Sequence, residues 1–196
     1  MSLQPNLFNL PEPTPRDLPA GLVYIPALLL PDEEAGLVSN LKTLPFAPVV
    51  FQGYQAQRRE VSFGWSYDFD RHRVTPAPPA PAYLNQLRDR AAARFKRRAE
   101  AFEQVLVLEY APGAAMGWHR DRPEFDEIIG VSLGAAAPFR FRRPAARGWE
   151  RSRLTLSPGS AYLITGPART DWQHSIPTVE ALRYSITFRS PKRWRA

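Results

Sequence analysis

The spacing of apolar positions changes period along this chain, and each change predicts an element. Leu22-Val23-Tyr24-Ile25 is a short apolar run that reads as a strand. From residue 31 to about 41 the period is helical. Ala35, Leu37, Val38 and Leu41 share one stripe, behind a first turn made of Pro31 and the acids Asp32, Glu33 and Glu34. Residues 46–51 are expected as a strand or extended loop, and 71–81 as a proline-rich connector. The strongest helical pattern covers 83 to about 102. There Leu84, Leu87, Ala91, Phe95, Ala99 and Phe102 form one apolar side, and a cluster of arginines covers the others as a solvated surface.

Beyond residue 104 the chain reads as short strands, predicted over 105–110, 128–133, 138–143, 154–156, 161–164 and 182–188; the second is almost wholly apolar and the third alternates. Turns fall at Pro112-Gly113 and Pro158-Gly159-Ser160, with loops over 144–150, where Trp149 is at the tip, and 166–170. Many short strands preceded by helices predict an α+β, mainly β domain of the jelly-roll kind. Residues 1–20 read as an extended N-terminal arm and 21–196 as a single domain.

One stretch invites a functional reading. Over 58–69, Phe63, Trp65, Tyr67 and Phe69 alternate with small or polar residues, which on a strand makes one aromatic face. Such a face either belongs to the core or stacks on a flat substrate, as enzymes acting on an extruded base require. Trp65 and Tyr67 are the candidates for substrate contact.

Composition narrows the setting. A chain of 196 residues can bury one sizeable core. The absence of cysteine excludes disulfides and thiolate metal sites. No apolar run reaches membrane-spanning length, and the proline-rich start has no basic and apolar regions of a signal peptide, so a cytoplasmic protein without a membrane partner is expected. The net charge of +7 comes almost wholly from arginine, since lysine occurs only at 42, 96 and 192. Arginine suits phosphate, which favours a nucleic-acid partner. The 21 prolines and the many alanines offer a second explanation, a GC-rich coding sequence.

The chemistry begins at His119 and Asp121. On an extended segment, side chains at i and i+2 leave the same face, so an imidazole and a carboxylate point at one spot. With His174 they make two histidines and one carboxylate, the set that caps one face of an octahedral Fe(II). The chain has only three histidines, which makes a chance match harder. Downstream, alternation puts Arg183, Ser185, Thr187 and Arg189 on one face of a strand, and Tyr184, Ile186 and Phe188 on the other. A buried arginine needs an anion, and a planar guanidinium suits a carboxylate. A dicarboxylate lying along this strand would satisfy both arginines.

His119-Arg120-Asp121, then His174, then the run from Arg183 to Arg189 resemble the AlkB-like family of Fe(II)- and 2-oxoglutarate-dependent dioxygenases, over roughly 60–190. The resemblance implies a double-stranded β-helix over about 104–190, buttressing helices, and an N-terminal substrate lid over about 45–80. It implies Fe(II), 2-oxoglutarate and O2, with His119, Asp121 and His174 as metal ligands and catalytic residues. Arg183 and Tyr110 would hold the distal carboxylate of 2-oxoglutarate, Arg189 would lie near its C1 end, and Ser185 would line the same site. Ser185 and Leu108 stand where the family often has asparagine. Arg122-Pro123-Glu124 replaces the acidic pair that DNA-repair members often carry after the metal aspartate, and puts Arg122 on the substrate side. The implied activity is oxidative demethylation of N-alkylated bases in DNA or RNA, by a monomer. The alternatives are a hydroxylase or demethylase of a protein or small molecule, and a non-catalytic nucleic-acid-binding module.

Overall fold

Strands β8 (Phe125–Gly134) and β13 (Arg183–Pro191) lie side by side at the centre of a seven-stranded antiparallel sheet. On the β8 side follow β11 (Ser160–Ile164) and β1 (Leu22–Ile25). On the β13 side follow β6 (Gln104–Tyr110), β3 (Tyr54–Phe63) and β2 (Ala47–Phe51). A second antiparallel sheet runs β10 (Trp149–Leu156), β9 (Ala137–Pro144), β12 (Gln173–Ile176), β7 (Met116–His119). A separate ribbon pairs β4 (Trp65–Asp68) with β5 (Arg73–Pro76). The helices are α1 (Pro31–Leu41), α2 (Ala82–Arg94) and α3 (Gly166–Thr170). This computed structural model describes residues 18–51, 54–68 and 73–192, without the side chains at 50, 51, 54, 55, 67, 68, 73 and 74.

The large sheet is covered on both faces. Against one face, Leu41 of α1 and Leu84, Leu87 and Ala91 of α2 pack on Val107, Val131, Ile186 and Phe188. Against the other, Phe139, Phe141, Leu154 and Leu156 of the small sheet meet Leu106, Leu108, Ile128 and Tyr162. The result is a jelly roll with helices buttressing one outer side. Double coverage explains why β8 and β13 are buried at nearly every position, although antiparallel strands usually alternate. Strand β9 keeps its alternation, because only its inner face is covered.

The helix expected over 83–102 is shorter. Helix α2 ends at Arg94, Lys96 takes a positive φ of 55°, and a 3-10 turn at Ala99–Ala101 carries the chain on. Phe95 and Phe102 are still buried, but by separate segments. The arginines here are largely paired, Arg90 with Glu33 at 2.6 Å and Arg97 with Glu127 at 2.8 Å, as a solvated surface would have them.

The unbroken aromatic strand is also corrected. Gly64, at φ 72°, separates β3 from β4, and a Cβ there would fall 2.1 Å from the Glu103 carbonyl oxygen. Phe63 therefore points into the core, while Trp65 belongs to the other ribbon. Part of the proline-rich connector is strand β5. The loop expected over 144–150 is a tight hairpin in which Trp149 pairs with Pro144, and the loop at 166–170 is the short helix α3. The arm over 1–17, His72 and Phe69 lie outside the described residues. Among those described, no helix is long and apolar enough to cross a membrane.

Candidate active site

His119 ends β7 and His174 lies on β12, and the two are direct cross-strand partners. Their rings meet edge to face with centroids 4.3 Å apart. Asp121 follows β7 and turns back towards them, with its Oδ2 3.3 Å from His174 Nε2. One ligand atom from each residue can be chosen so that all three lie within 4.8 Å of one another. Tertiary pairing thus brings a third side chain that could hold a metal ion to the local His-x-Asp pair.

The chemistry of these atoms fits a divalent ion. The Gly117 carbonyl lies 2.9 Å from His119 Nδ1, which leaves Nε2 as the ligand atom. Burial, opposed by Asp121, lowers the pKa of His174 to about 4, so its imidazole is neutral near pH 7. Burial alone would raise the Asp121 carboxyl, but Arg189 first, then His174, His119 and Arg169, outweigh it and hold it at about 2. A neutral imidazole at His174 and an ionised carboxylate at Asp121 are the states that metal ligation needs.

Behind this triad, the inward face of β13 presents Arg183, Ser185, Thr187 and Arg189 to an inner cavity also lined by Tyr110, Ile128 and Tyr162. The two arginines differ. Arg189 takes its anion from within the protein, with Nη2 3.0 Å from Asp121 Oδ1 and Nη1 3.2 Å from Gln104 Oε1. Arg183 is 1% exposed and lies 5.0 Å over the Tyr110 ring. Its Nη2 donates to Ser132 Oγ at 3.1 Å, while among the described residues Nε and Nη1 have no partner. Of the two arginines expected to meet a dicarboxylate, Arg189 is thus engaged within the protein, while Arg183 holds the less satisfied guanidinium.

A larger cleft of about 790 Å³ opens in front of the triad. Arg58, Glu60 and Ser62 of β3 line it, together with Arg120, Arg122 and Arg169. Arg169 is buried and donates through Nη2 to the carbonyls of Arg122 and Phe125, which fixes the segment after Asp121. Arg122, the candidate on the substrate side, is among the residues lining this cleft. Trp65 is not among the residues lining the cleft; its Nε1 donates to Glu103 Oε2 at 3.3 Å. Tyr67 pairs with Val74 through its backbone, and its side chain lies outside the described ones.

Several of these residues carried no signal in the sequence. Tyr162 reaches the inner cavity because its cross-strand partner is Gly130, where a Cβ would fall 2.1 Å from the tyrosine ring. Ser132, Gln104, Glu60 and Arg169 are likewise defined by pairing between distant strands or by docking of α3. The isolated acid in 58–63, on an otherwise basic strand, was the one available hint.

A jelly roll that converges two histidines and an aspartate inside its barrel has the donor set used by non-haem Fe(II) oxygenases. The chain belongs to the 2OG-Fe(II) oxygenase superfamily, whose family model matches residues 21–189, and it is AlkB-like within it. It is 33% identical over 153 residues to the mouse DNA oxidative demethylase ALKBH2, covering 69% of this chain and 62% of that protein. It is 31% identical over 164 residues to an alpha-ketoglutarate-dependent dioxygenase AlkB homolog of Caulobacter vibrioides, covering 78% and 70%. The solved structure of OsALKBH1 shares the fold, with a TM-score of 0.68 at 17% identity over 88% of this chain and 97% of that one. The chain thus spans about three-fifths of the length of the mouse relative.

Proposed function

We propose that this chain is an Fe(II)/2-oxoglutarate-dependent dioxygenase that oxidatively demethylates N-alkylated bases in DNA or RNA. The observation that carries the reaction is a cavity in which the His119, Asp121 and His174 ligand atoms converge beside a buried Arg183 with two nitrogens unpartnered among the described residues. His119, Asp121 and His174 would hold the iron. Arg183 would bind the distal carboxylate of 2-oxoglutarate, with Tyr110 beneath it and Ser185 lining the site. The bound iron and cosubstrate supply the oxidising chemistry that activates O2 and attacks a substrate C–H bond. The protein's own groups orient that bond, hold Asp121 through Arg189, and close the inner cavity with Ile128, Phe139 and Tyr162. Residues 45–80 would be the substrate lid; three side chains of β3 already line the cleft.

The nucleic-acid assignment draws on the ALKBH2 and AlkB relatives and on an independent surface feature. On the outer face of the small sheet, Arg151 stands opposite Arg142, and Arg153 opposite Arg140. Like charges in directly opposed positions destabilise a sheet. Among the described residues, none of these four arginines forms an ion pair. Arg140 and Arg142 are held instead by neutral partners, Ser175 Oγ at 3.1 Å and Gln173 Oε1 at 2.8 Å, and both stack on Trp118. Uncompensated, prepositioned guanidiniums suit a polyphosphate.

The test is a screen of methylated DNA and RNA oligonucleotides and methylated peptides for release of succinate and formaldehyde. Stoichiometric release with an oligonucleotide is expected. Release only with peptides would move the substrate to protein, and no 2-oxoglutarate turnover with any substrate would overturn the enzymatic reading.

A further inference from the structure

Glu60 is the feature of the cleft that neither the metal site nor the cosubstrate site uses. It lies on β3 between Arg58 and Ser62 on the inward face, in register with Leu108 of β6. Leu108 lines both the outer cleft and the inner cavity, so Glu60 stands on the wall that leads to the metal ligands.

The ordinary explanation would be charge balance against the neighbouring arginines, and the hydrogen bonds argue against it. Arg58 donates Nη1 to the Ala115 carbonyl at 3.3 Å and Arg189 is engaged by Asp121 and Gln104; the Nε of each has no partner among the described residues, so neither turns that donor to Glu60. Among the described residues, no donor reaches the Glu60 carboxylate. Burial raises its pKa, with Arg58 and Arg189 only partly opposing. A half-buried acceptor without a donor is costly and is relieved when a ligand brings one. A carboxylate offers about four acceptor sites and no donor, so the complementary ligand edge carries N–H groups or positive charge.

We propose that Glu60 is a specificity-determining residue of this cleft: its carboxylate accepts an N–H bond from the exocyclic amine of the alkylated base. Substrates carrying that amine, and the positive charge that ring alkylation gives them, are then preferred over those with a carbonyl at the same edge. The inference rests on the nucleobase reading above. It places the reading carboxylate on β3 and not in the segment Arg122-Pro123-Glu124.

The experiment compares the full chain with Glu60→Gln and Glu60→Lys on two single-stranded oligonucleotides. One carries 3-methylcytosine and the other 3-methylthymine, which differ in amine against carbonyl and in charge. The unaltered protein should favour 3-methylcytosine in kcat/KM. Glu60→Gln, of equal size and able to donate as well as accept, should shrink that preference by roughly 10-fold to 100-fold, the worth of a charged hydrogen bond. The change should lie mainly in KM and in oligonucleotide binding measured by fluorescence anisotropy. Glu60→Lys should reverse the preference. A ratio unmoved in both variants, with melting temperatures and uncoupled 2-oxoglutarate turnover intact, overturns the role of Glu60 alone. Failure of the unaltered protein to act on any methylated oligonucleotide, while it still turns over 2-oxoglutarate, removes the nucleobase reading and the Glu60 assignment with it.

Discussion

Arg189 donates to Oδ1 of Asp121 at 3.0 Å, which leaves Oδ2 as the carboxylate oxygen facing His174. The last arginine of β13 thus orients the carboxylate of the candidate metal-binding triad from behind. Partners of this kind typically contribute about 10-fold to 100-fold in metal affinity. Arg189→Met should weaken Mn(II) binding, measured by calorimetry, by that factor without unfolding the domain. Arg189→Lys should recover part of it. Unchanged affinity in Arg189→Met would show that Asp121 is fixed by its backbone alone.

Metal binding should stabilise the fold by mass action, since the ligand residues converge only in the folded chain. Adding Mn(II) and 2-oxoglutarate should raise the melting temperature, and chelation should reverse the rise. His119→Ala and His174→Ala should melt near the metal-free parent and show no such rise. A rise that persists in both variants would locate the metal elsewhere.

Arg183 allows fold and binding to be separated. It is a buried charge with two nitrogens unpartnered among the described residues, so replacing it with an apolar residue of similar length should cost the cosubstrate-free protein little, or stabilise it. Binding of 2-oxoglutarate should fall by about 2–5 kcal/mol when the carboxylate loses its charged partner. Arg183→Met is the variant, read by thermal melts without ligand and by 2-oxoglutarate titration. Full affinity in this variant would refute the assignment.

The arginine pairs of β9 and β10 have opposite effects with and without their partner. Arg153→Glu replaces a like-charge pair with an opposite one across from Arg140, and should raise stability by about 0.2–1 kcal/mol. The same change, or Arg142→Glu, should weaken oligonucleotide binding and flatten its salt dependence by about one unit of slope per lost phosphate contact. Binding with an unchanged salt slope would show that nucleic acid does not touch this face.

Trp65 is held by Glu103 and stands apart from the cleft lining. Trp65→Ala should therefore lower the melting temperature while leaving the ratio of formaldehyde to succinate unchanged. A fall in that ratio with the melting temperature preserved would return Trp65 to the substrate surface.

Local patterns carried much of this architecture. The apolar run of 105–110 became β6, and the alternating run of 183–189 became β13, because alternation across a strand is a property of the backbone and needs no partner. The two faces of β13 were readable for the same reason, polar towards the cavity and apolar towards the helices. His119 and Asp121 could be grouped by their one-residue gap. The pattern could not reveal where the helical period stops, since Phe95 and Phe102 are buried whether or not Lys96 turns the chain. Nor could it reveal that Gly64 resets the phase of the aromatic run, since that depends on how closely Glu103 approaches from another segment. Tertiary structure alone decided that His174 stands opposite His119, that Arg189 pairs with Asp121, that Arg183 keeps nitrogens unpartnered among the described residues, and that Glu60 faces the cleft. Each of these depends on register between strands far apart in sequence, where a shift of one residue would turn the side chain to the opposite face.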